Sequence, residues 1–221
     1  MKKTSEKEVY LTIQALQRMP YYLHCLEKAE EDGIQTISAT SIANELKLND
    51  VLVRKDIAAV SSTQGKPKSG FQVEGLIRDI KEYMGYNDHK DAVIVGAGSL
   101  GRALLGNSEF EQYGLSITAA FDISKDLIGT AISGIKVLPI EKLESYCAEN
   151  GILIGIITTP MEEAQKVADV LVRAGVQAIW NFAHVDLELP PQIKVENVHL
   201  QDSLMMLSYN IHRNEGTKEE A

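Results

Sequence analysis

The amino-acid sequence predicts an α/β protein in which a small, mainly helical domain precedes a doubly wound parallel sheet. From residue 91 onwards, segments with the pattern of strands alternate with segments with the pattern of helices, which is typical of a parallel sheet. The first of these strands runs into a glycine-rich turn and a helix, VIVGAGSLGRALL at 93–105. Before the polar connector YNDHKD the helical period dominates, so we place a domain boundary after residue 86.

Composition favours a cytoplasmic globular protein without a membrane partner. The 221 residues are 44% hydrophobic, and no apolar run reaches the roughly 18 residues of a membrane helix. The N-terminus MKKTSEKEVY lacks the apolar region of a signal peptide. Cys25 and Cys147 lie far apart, without metal-ligand spacing, so we expect two buried thiols and no metal.

The first domain begins with a long amphipathic helix over residues 8–30. Gly33 is expected to end this helix, and Pro20 to kink or restart it. Its apolar face recurs at three- to four-residue spacing and comprises Leu11, Ala15, Tyr22, Leu23 and Leu26.

Two short helices follow, separated by a tight turn. Ser38 or Thr40 caps the first helix, whose apolar side is Ile42, Ala43, Leu46 and Leu48. Asn49 or Asp50 caps the second, at about 51–61, whose inner side is Val51, Val53 (or Leu52), Ile57 and Val60. A longer helix followed by two short ones predicts a helix-turn-helix.

The segment TQGKPKSGFQV (63–73) has the glycines and the proline of a hairpin and leads into a short extended segment. One more amphipathic helix covers 73–85. Residues 1–86 are therefore predicted to form a winged helix-turn-helix domain.

This domain carries a basic segment in an acidic protein. Residues 1–86 have as many basic as acidic side chains, so the net charge of −9 lies entirely in residues 87–221. Between residues 52 and 72, Asp56 is the only acid, and the basic side chains are Arg54, Lys55, Lys66 and Lys68. On one surface they would suit DNA phosphates or guanine edges, and a merely solvated basic face is the alternative.

The second domain alternates strands and helices. Helices are expected at about 99–107, 139–148 and 161–174. Strands are expected at 92–95, 116–121, 135–138, 152–158, 177–182 and 193–198. This order predicts a Rossmann-type, doubly wound parallel sheet over residues 87–200.

The glycine turn has the G-x-G-x-x-G spacing in Gly96, Gly98 and Gly101. In this pattern the first glycine permits the tight turn, the second lets the backbone approach a pyrophosphate, and the third lets the helix pack on the sheet. Asp122 ends the next strand, where a carboxylate accepts hydrogen bonds from a ribose and repels a 2′-phosphate. We therefore expect NAD(H) rather than NADP(H), with a packing turn that binds no ligand as the alternative.

Hydride-transfer catalysis is not favoured, and we expect no enzymatic activity and no catalytic residue. His184, His199 and His212 lie near apolar segments, where histidine is more often structural than an acid–base group. A small NAD-dependent oxidoreductase with an N-terminal interaction domain stays as an alternative. So does a CoA-binding module, although CoA makes less use of a ribose-binding acid such as Asp122.

The sequence resembles the Rex family of redox-sensing transcriptional repressors from about residue 10 to residue 212. The matching segments are VRKD (53–56), VGAGSLGRALL (95–105), FDIS (121–124), AQKVADVLVRAGVQAIWNFA (164–183) and VENVHLQDSLMMLSY (195–209). The resemblance implies a homodimer whose chains each join a winged-helix domain to a Rossmann domain that senses the NADH/NAD+ ratio. It implies a repressor that binds double-stranded operator DNA and leaves it when NADH replaces NAD+.

The resemblance also indicates binding residues. Those for the operator are Ser41, Arg54 and Lys55 on the helix-turn-helix, with Lys66 and Lys68 on the wing. Those for NAD(H) are Gly96, Ala97, Gly98, Ser99, Leu100, Gly101, Asp122, Thr159 and Pro160.

By the same resemblance, residues 201–221 form a C-terminal helix and tail that the two subunits exchange, with Asp202 to His212 as the exchanged helix. From its own pattern this helix could equally pack on its own subunit. Its apolar side is Leu204, Met205, Leu207 and Ile211.

Two features depart from the family pattern. Val60 and Ser61 stand where members have Phe-Gly, and the wing has one extra residue. His24 and His199 stand where many members have an Arg and an Asp that pair across the dimer in one redox state. Two histidines cannot form that ion pair, so we expect either a different contact at this interdomain switch or weak coupling. A paralogue that senses NADH without binding DNA is a further alternative.

Overall fold

The computed structural model describes residues 11–63 and 70–216, and the chain divides into two compact units, Met1–Asp88 and His89–Ala221. The elements of the first unit are α1 (Ile13–Glu31), β1 (Thr36–Ile37), α2 (Ala39–Leu46), α3 (Asp50–Val60), β2 (Phe71–Gln72) and α4 (Val73–Tyr83).

Side-chain caps fix where the two short helices begin. The Ser38 side chain accepts a hydrogen bond from the Ser41 backbone N–H at 2.9 Å, and the Asn49 side chain accepts one from Val51 N–H at 3.0 Å. Of the alternative caps expected from the sequence, Ser38 and Asn49 are the ones used. Helix α1 continues through Pro20, so a restart there is wrong, whereas the alternative of a kink stays a prediction.

The helices α1 to α4 share one hydrophobic core. Most residues expected on the inner side of α3 are buried, as Val53 and Ile57 show, but Val51 is 68% exposed. Because α3 begins at Asp50, Val51 lies in its first turn and on its outer side. The largest buried side chains of this core are Met19, Tyr22, Leu26, Ile42, Ile57, Leu76 and Ile80.

Strands β1 and β2 pair antiparallel, with Thr36 opposite Gln72 and Ile37 opposite Phe71. β2 is the extended segment that the sequence predicts after the wing. β1 was not predicted, since two residues are too few to show alternation. The wing residues 64–69, with Lys66 and Lys68, lie outside the described residues.

The second unit has its own set of strands and helices. The strands are β3 (Lys90–Val95), β4 (Leu115–Asp122), β5 (Ala131–Ile132), β6 (Ile135–Pro139), β7 (Ile154–Ile157), β8 (Ala178–Asn181) and β9 (Lys194–Asn197). The helices are α5 (Ser99–Leu105), α6 (Leu143–Asn150), α7 (Met161–Arg173) and α8 (Leu200–Gly216), with 3-10 turns at Ser108–Tyr113 and Ile140–Lys142.

The strands of this unit form one sheet in the order β5-β6-β4-β3-β7-β8-β9. All neighbouring pairs are parallel except β5 and β6. From β3 the chain proceeds first to β4 on one side and later to β7 on the other, so the strand order reverses at β3. The predicted doubly wound α/β class is confirmed, and β5 is an addition to it.

Helices cover both faces of the sheet. Along β3, Val93 and Val95 pack in a core with α6 and α7, whereas Ala92 and Ile94 pack in a second core with Leu105 of α5. Because both faces of β3 are buried, its sequence is a continuous apolar run. The carboxyl ends of β3, β4 and β7 meet at one edge, where ligands bind in sheets of this type.

Cys25 and Cys147 are free and buried, as expected. Burial raises the pKa of the Cys147 thiol from its ordinary 9.0 to about 11. Within the described ranges, no helix is long and apolar enough to cross a bilayer, and no group of three or more His, Cys, Asp or Glu side chains could hold a metal ion.

Candidate functional site

The glycine turn lies between the end of β3 and the start of α5. Gly96 has a φ of +102°, and a Cβ there would stand 2.9 Å from the Thr158 carbonyl oxygen. A Cβ on Gly101 would collide with the carbonyl oxygen of Gly96. These two glycines therefore allow α5, the turn and the end of β7 to pack closely.

Gly98 has a different environment. No atom lies within 4 Å of the position that its Cβ would take. Gly98 and Ser99 are exposed, Leu100 is half-buried and Ala97 is fully buried. The backbone at Gly98 is thus open to a ligand, while Ala97 fixes the turn to the core.

Asp122, at the end of β4, already holds the turn. Its Oδ2 accepts a hydrogen bond from the Ala97 backbone N–H at 2.6 Å, and its Oδ1 accepts one from Ser124 N–H at 2.8 Å. A carboxylate offers about four acceptor positions, so two remain for ribose hydroxyls. Asp122 can therefore brace the turn and bind a ligand together.

Arg102 is a turn residue that the sequence argument missed. Its Nε donates to the Ala97 carbonyl oxygen at 3.1 Å, and its side chain is exposed. This fixes a guanidinium beside the open backbone of Gly98, where it would favour an anion. Its place directly after the third glycine is a signal that could have identified it.

The loop after β7 completes the edge. Thr158 Oγ1 donates to the Gly96 carbonyl oxygen at 2.7 Å, joining this loop to the turn. Thr159 Oγ1 is buried and has no hydrogen-bond partner within the described part of the chain. Pro160 is exposed and immediately precedes α7. A buried hydroxyl without a partner suits a polar ligand group.

The predicted cofactor residues thus share one edge of the sheet. Asp122 ends β4, the glycine turn follows β3, and Thr159 follows β7, in the strand order β4-β3-β7. A dinucleotide along this edge would place its ribose at Asp122 and its pyrophosphate at Gly98. The residues present fit such a group.

The described DNA-binding candidates lie on α2 and α3. Ser41, Arg54 and Lys55 are all exposed. Arg54 Nη2 donates to Asp50 Oδ2 at 3.1 Å, and Thr40 Oγ1 donates to the same oxygen at 3.3 Å. Asp50, at the start of α3, is a surface residue that the sequence argument considered only as a cap.

A buried polar cluster anchors α3 to α1. Asp56 Oδ2 accepts from Arg18 Nη2 at 2.7 Å, from Arg18 Nε at 2.8 Å and from the Tyr22 hydroxyl at 2.8 Å. Burial, together with the hydrogen bond to Asp56, raises the pKa of Tyr22 to about 12. Arg54 and Lys55 directly precede Asp56 in α3, so this cluster fixes the turn of the helix that carries both basic residues.

A second buried acid fixes the start of the wing. Asp79 of α4 is 6% exposed and accepts from the Ser62 backbone N–H at 2.7 Å. The Ser62 hydroxyl donates to the same carboxylate at 2.8 Å. The chain therefore leaves α3 from a fixed point before it enters the wing.

The two histidines predicted to act in the switch belong to different units. His24 is exposed on α1, and His199 lies between β9 and α8. His199 Nδ1 is 2.7 Å from His184 Nδ1, and their rings meet edge to face. This pair was not predicted from the sequence, and a contact between His24 and the partner's His199 stays a prediction.

Two family models match the two units separately. "Putative DNA-binding protein N-terminus" matches residues 13–58, and "CoA binding domain" matches residues 87–185. The second description names a ligand different from the expected NAD(H).

Curated relatives match nearly the whole chain. Redox-sensing transcriptional repressor Rex of Treponema denticola is 41% identical over 193 residues, covering 87% of this chain and 91% of the relative. Redox-sensing transcriptional repressor Rex of Clostridium beijerinckii is 37% identical and covers 95% of this chain and 99% of the relative.

Solved structures agree in fold and length. RSP, a Rex-family repressor, in complex with β-NAD+ and operator DNA superposes with a TM-score of 0.88 at 33% identity, covering 96% of this chain and 97% of its own. The same protein in complex with β-NADH gives a TM-score of 0.86 at 32% identity, covering 96% of this chain and 100% of its own. The chain has the glycine turn, Asp122 at the end of the next strand and the helix-turn-helix, and it matches Rex repressors over most of its length. It therefore belongs to the Rex family.

Proposed function

We propose that this chain is a redox-sensing transcriptional repressor and not an enzyme. The observation that carries this function is the full-length match to curated Rex repressors, which spans both units. Related RSP was crystallised with NAD+ and operator DNA, and also with NADH. A repressor must reach chromosomal DNA, so we place it in the cytoplasm.

NAD(H) is the ligand that we assign to the sheet edge. Asp122 would accept hydrogen bonds from the adenosine ribose, the backbone at Gly98 would approach the pyrophosphate, and Arg102 would neutralise part of its charge. The buried Thr159 hydroxyl would donate to the part of the ligand that crosses the end of β7. The nicotinamide supplies the redox state that is read, and the protein transfers no hydride.

CoA is the second candidate ligand, because the family model of residues 87–185 is described as a CoA binding domain. Competition separates the two ligands. If NADH is the ligand, CoA should fail to displace it from the protein at concentrations well above the dissociation constant of NADH.

The operator-binding surface that we propose is the exposed side of α3, with Arg54 and Lys55, together with Ser41 of α2 and Lys66 and Lys68 of the wing. The first residues of a recognition helix contact base edges in the major groove, and a basic wing contacts the backbone beside it.

Helix α8 supports the proposed homodimer. Its large apolar side chains are more than half exposed: Leu204, Met205, Met206, Leu207, Tyr209 and Ile211. So much exposed apolar surface on one helix is typical of an interaction site. We assign it to a second copy of this chain, with which α8 would be exchanged.

The regulatory mechanism that we infer is a change in the relative orientation of the two subunits when NADH replaces NAD+. This change would move the paired helix-turn-helix elements away from two operator half-sites. His24 and His199 remain the proposed residues of the switch between subunits.

The test is to titrate NADH against the protein with and without a duplex that it has selected from random DNA. Coupling is reciprocal, so if NADH weakens DNA binding, bound DNA should weaken NADH binding by about 5- to 150-fold. NAD+ should show a smaller difference. Quenching of Trp180, the sole tryptophan, gives the readout. Equal NADH affinity in both titrations, with DNA demonstrably bound, would contradict the function. Asp122→Ala is the control, which should lose NADH and keep DNA.

A further inference from the structure

Asp50 places a negative charge on the surface that we assign to DNA. It is the first residue of α3, its side chain is 40% exposed, and that of Arg54 one turn later is 64% exposed. A carboxylate there repels phosphates, so its presence weakens the general attraction on which DNA affinity depends. We therefore asked what favourable contribution of Asp50 offsets this loss of attraction for DNA.

Capping does not supply that role. Asn49 already caps α3, accepting hydrogen bonds from the backbone N–H groups of Val51 and Leu52 at 3.0 and 3.3 Å. An acid in the first turn adds only the favourable interaction with the helix dipole, which is small at an exposed position.

The contacts of Asp50 instead connect both helices of the helix-turn-helix. Its Oδ2 accepts from Thr40 Oγ1 of α2 at 3.3 Å and from Arg54 Nη2 of α3 at 3.1 Å. Thr40 limits where the carboxylate can point, and the carboxylate limits where the guanidinium can point. Thr40 therefore restricts the orientation of Arg54 through Asp50.

We propose that Asp50, held by Thr40, is a positioning residue that directs Arg54 to a guanine edge and so makes Arg54 a base-reading residue. This inference rests on the proposed function. A guanidinium has five N–H donors, and after one donates to Asp50 enough remain for a bidentate contact with guanine O6 and N7. Held by Asp50, Arg54 is less free to follow a phosphate.

The neighbouring Lys55 offers a matched contrast. It is exposed, and within the described residues it has no hydrogen bond or ion pair that would orient it. A lysine free to turn is a mobile point charge, which suits a phosphate. Arg54 and Lys55 thus differ in role although they are adjacent and equally charged.

The experiment uses the full-length protein and a duplex that it has selected from random-sequence DNA. Single G·C to A·T replacements first identify the guanine whose loss weakens the parent, by about 5- to 150-fold, but leaves Arg54→Ala unaffected. Fluorescence anisotropy at several salt concentrations then measures the affinities of Asp50→Ala, Asp50→Asn, Thr40→Val and Lys55→Ala. Each is measured on the selected duplex, on the duplex that lacks this guanine and on unrelated DNA.

Asp50→Ala should lose discrimination at that guanine by about 2- to 5-fold, the range of an exposed ion pair. It should also bind unrelated DNA more tightly than the parent, because a repelling charge is gone. Its slope of log affinity against log salt should steepen by about 0.9, since the freed Arg54 reaches a phosphate. Thr40→Val should lose discrimination with little change in that slope. Lys55→Ala should weaken both duplexes equally.

Equal discrimination in Asp50→Ala and the parent would overturn the assignment and leave the proposed function intact. So would a uniform loss of affinity on all DNA, which is the result of a merely structural role. A parent protein that selects no sequence would overturn the proposed function and this assignment with it. Asp50→Asn keeps the shape of the side chain and removes its charge. It should lose discrimination at the guanine as Asp50→Ala does.

Discussion

The two units of this protein hold their functional backbones by different means. In the first unit, buried carboxylates do so: Asp56 joins α3 to α1, and Asp79 holds the start of the wing. In the second unit, glycines do so, because Gly96 and Gly101 leave room for backbone to approach backbone. The recognition helix thus depends on buried charge, and the nucleotide turn on the absence of side chains. Damage to one should leave the other intact.

The largest effect is expected from Asp56→Ala. Removing one partner of a buried ion pair typically costs about 3–5 kcal/mol, because the other charge stays without compensation. We expect the first unit to lose stability by about 3 kcal/mol, near the lower limit since the Arg18 side chain is 20% exposed. Hydrogen exchange of the α3 amides would measure it, and NADH affinity should not change.

Tyr22→Phe is the matched control for Asp56→Ala. It removes the hydroxyl that donates to Asp56 and accepts from Arg18 Nε, but it keeps the ion pair, so the expected loss is about 1 kcal/mol. If Asp56→Ala costs no more than Tyr22→Phe, buried charge does not hold this unit together.

The next effect is a loss of stability at alkaline pH, which should occur in a different pH range in each unit. A buried group whose pKa is raised on folding stabilises the protein below its unfolded pKa, and this contribution is lost as pH rises through the folded pKa. For Cys147 the pKa rises from 9.0 to about 11, and for Tyr22 from 10.0 to about 12. The second unit should therefore weaken between pH 9 and 11, and the first between pH 10 and 12.

The measurement is the free energy of unfolding of the second unit, followed through Trp180 at pH 8 and at about pH 10.5. The parent should lose about 2 kcal/mol more than Cys147→Ala, whose site has no proton to lose. Parallel pH profiles of the two proteins would show that Cys147 does not ionise on unfolding.

The smallest change in stability is expected at one of two glycines of the same turn, Gly98, and Gly101 is its comparison. Gly101→Ala forces a Cβ against the Gly96 carbonyl, so the second unit should lose about 1–3 kcal/mol of stability together with NADH affinity. In Gly98→Ala the added Cβ has no protein atom within 4 Å. The free energy of unfolding should therefore stay within about 0.5 kcal/mol of the parent value, while NADH affinity falls.

Denaturant unfolding and calorimetric NADH titration distinguish the two variants. Operator affinity without cofactor should be the same in both. A Gly98→Ala variant that binds NADH as tightly as the parent would show that no ligand approaches the backbone at this glycine.

The residues that share the sheet edge at the glycine turn could be predicted from the sequence, whereas the contacts that hold α3 could not. The glycine spacing and Asp122 are local signals, each readable in a short segment beside an apolar strand. The contact of Asp56 with Arg18 joins residues 38 positions apart, and that of Ser62 with Asp79 joins residues 17 apart. No periodicity reports such pairs, since each depends on how whole helices pack. Thr158 was missed for the same reason, because its contact with Gly96 spans 62 positions.

The contact between His184 and His199 restricts which ring nitrogen of each histidine carries the hydrogen. With Nδ1 facing Nδ1 at 2.7 Å, one ring must carry hydrogen on this nitrogen and the other must present a lone pair. The two rings therefore cannot be the same tautomer when both are neutral. The residue that follows His199 begins α8, so the hydrogen bond between the two rings ties the loop after β8 to the N-terminal end of that helix.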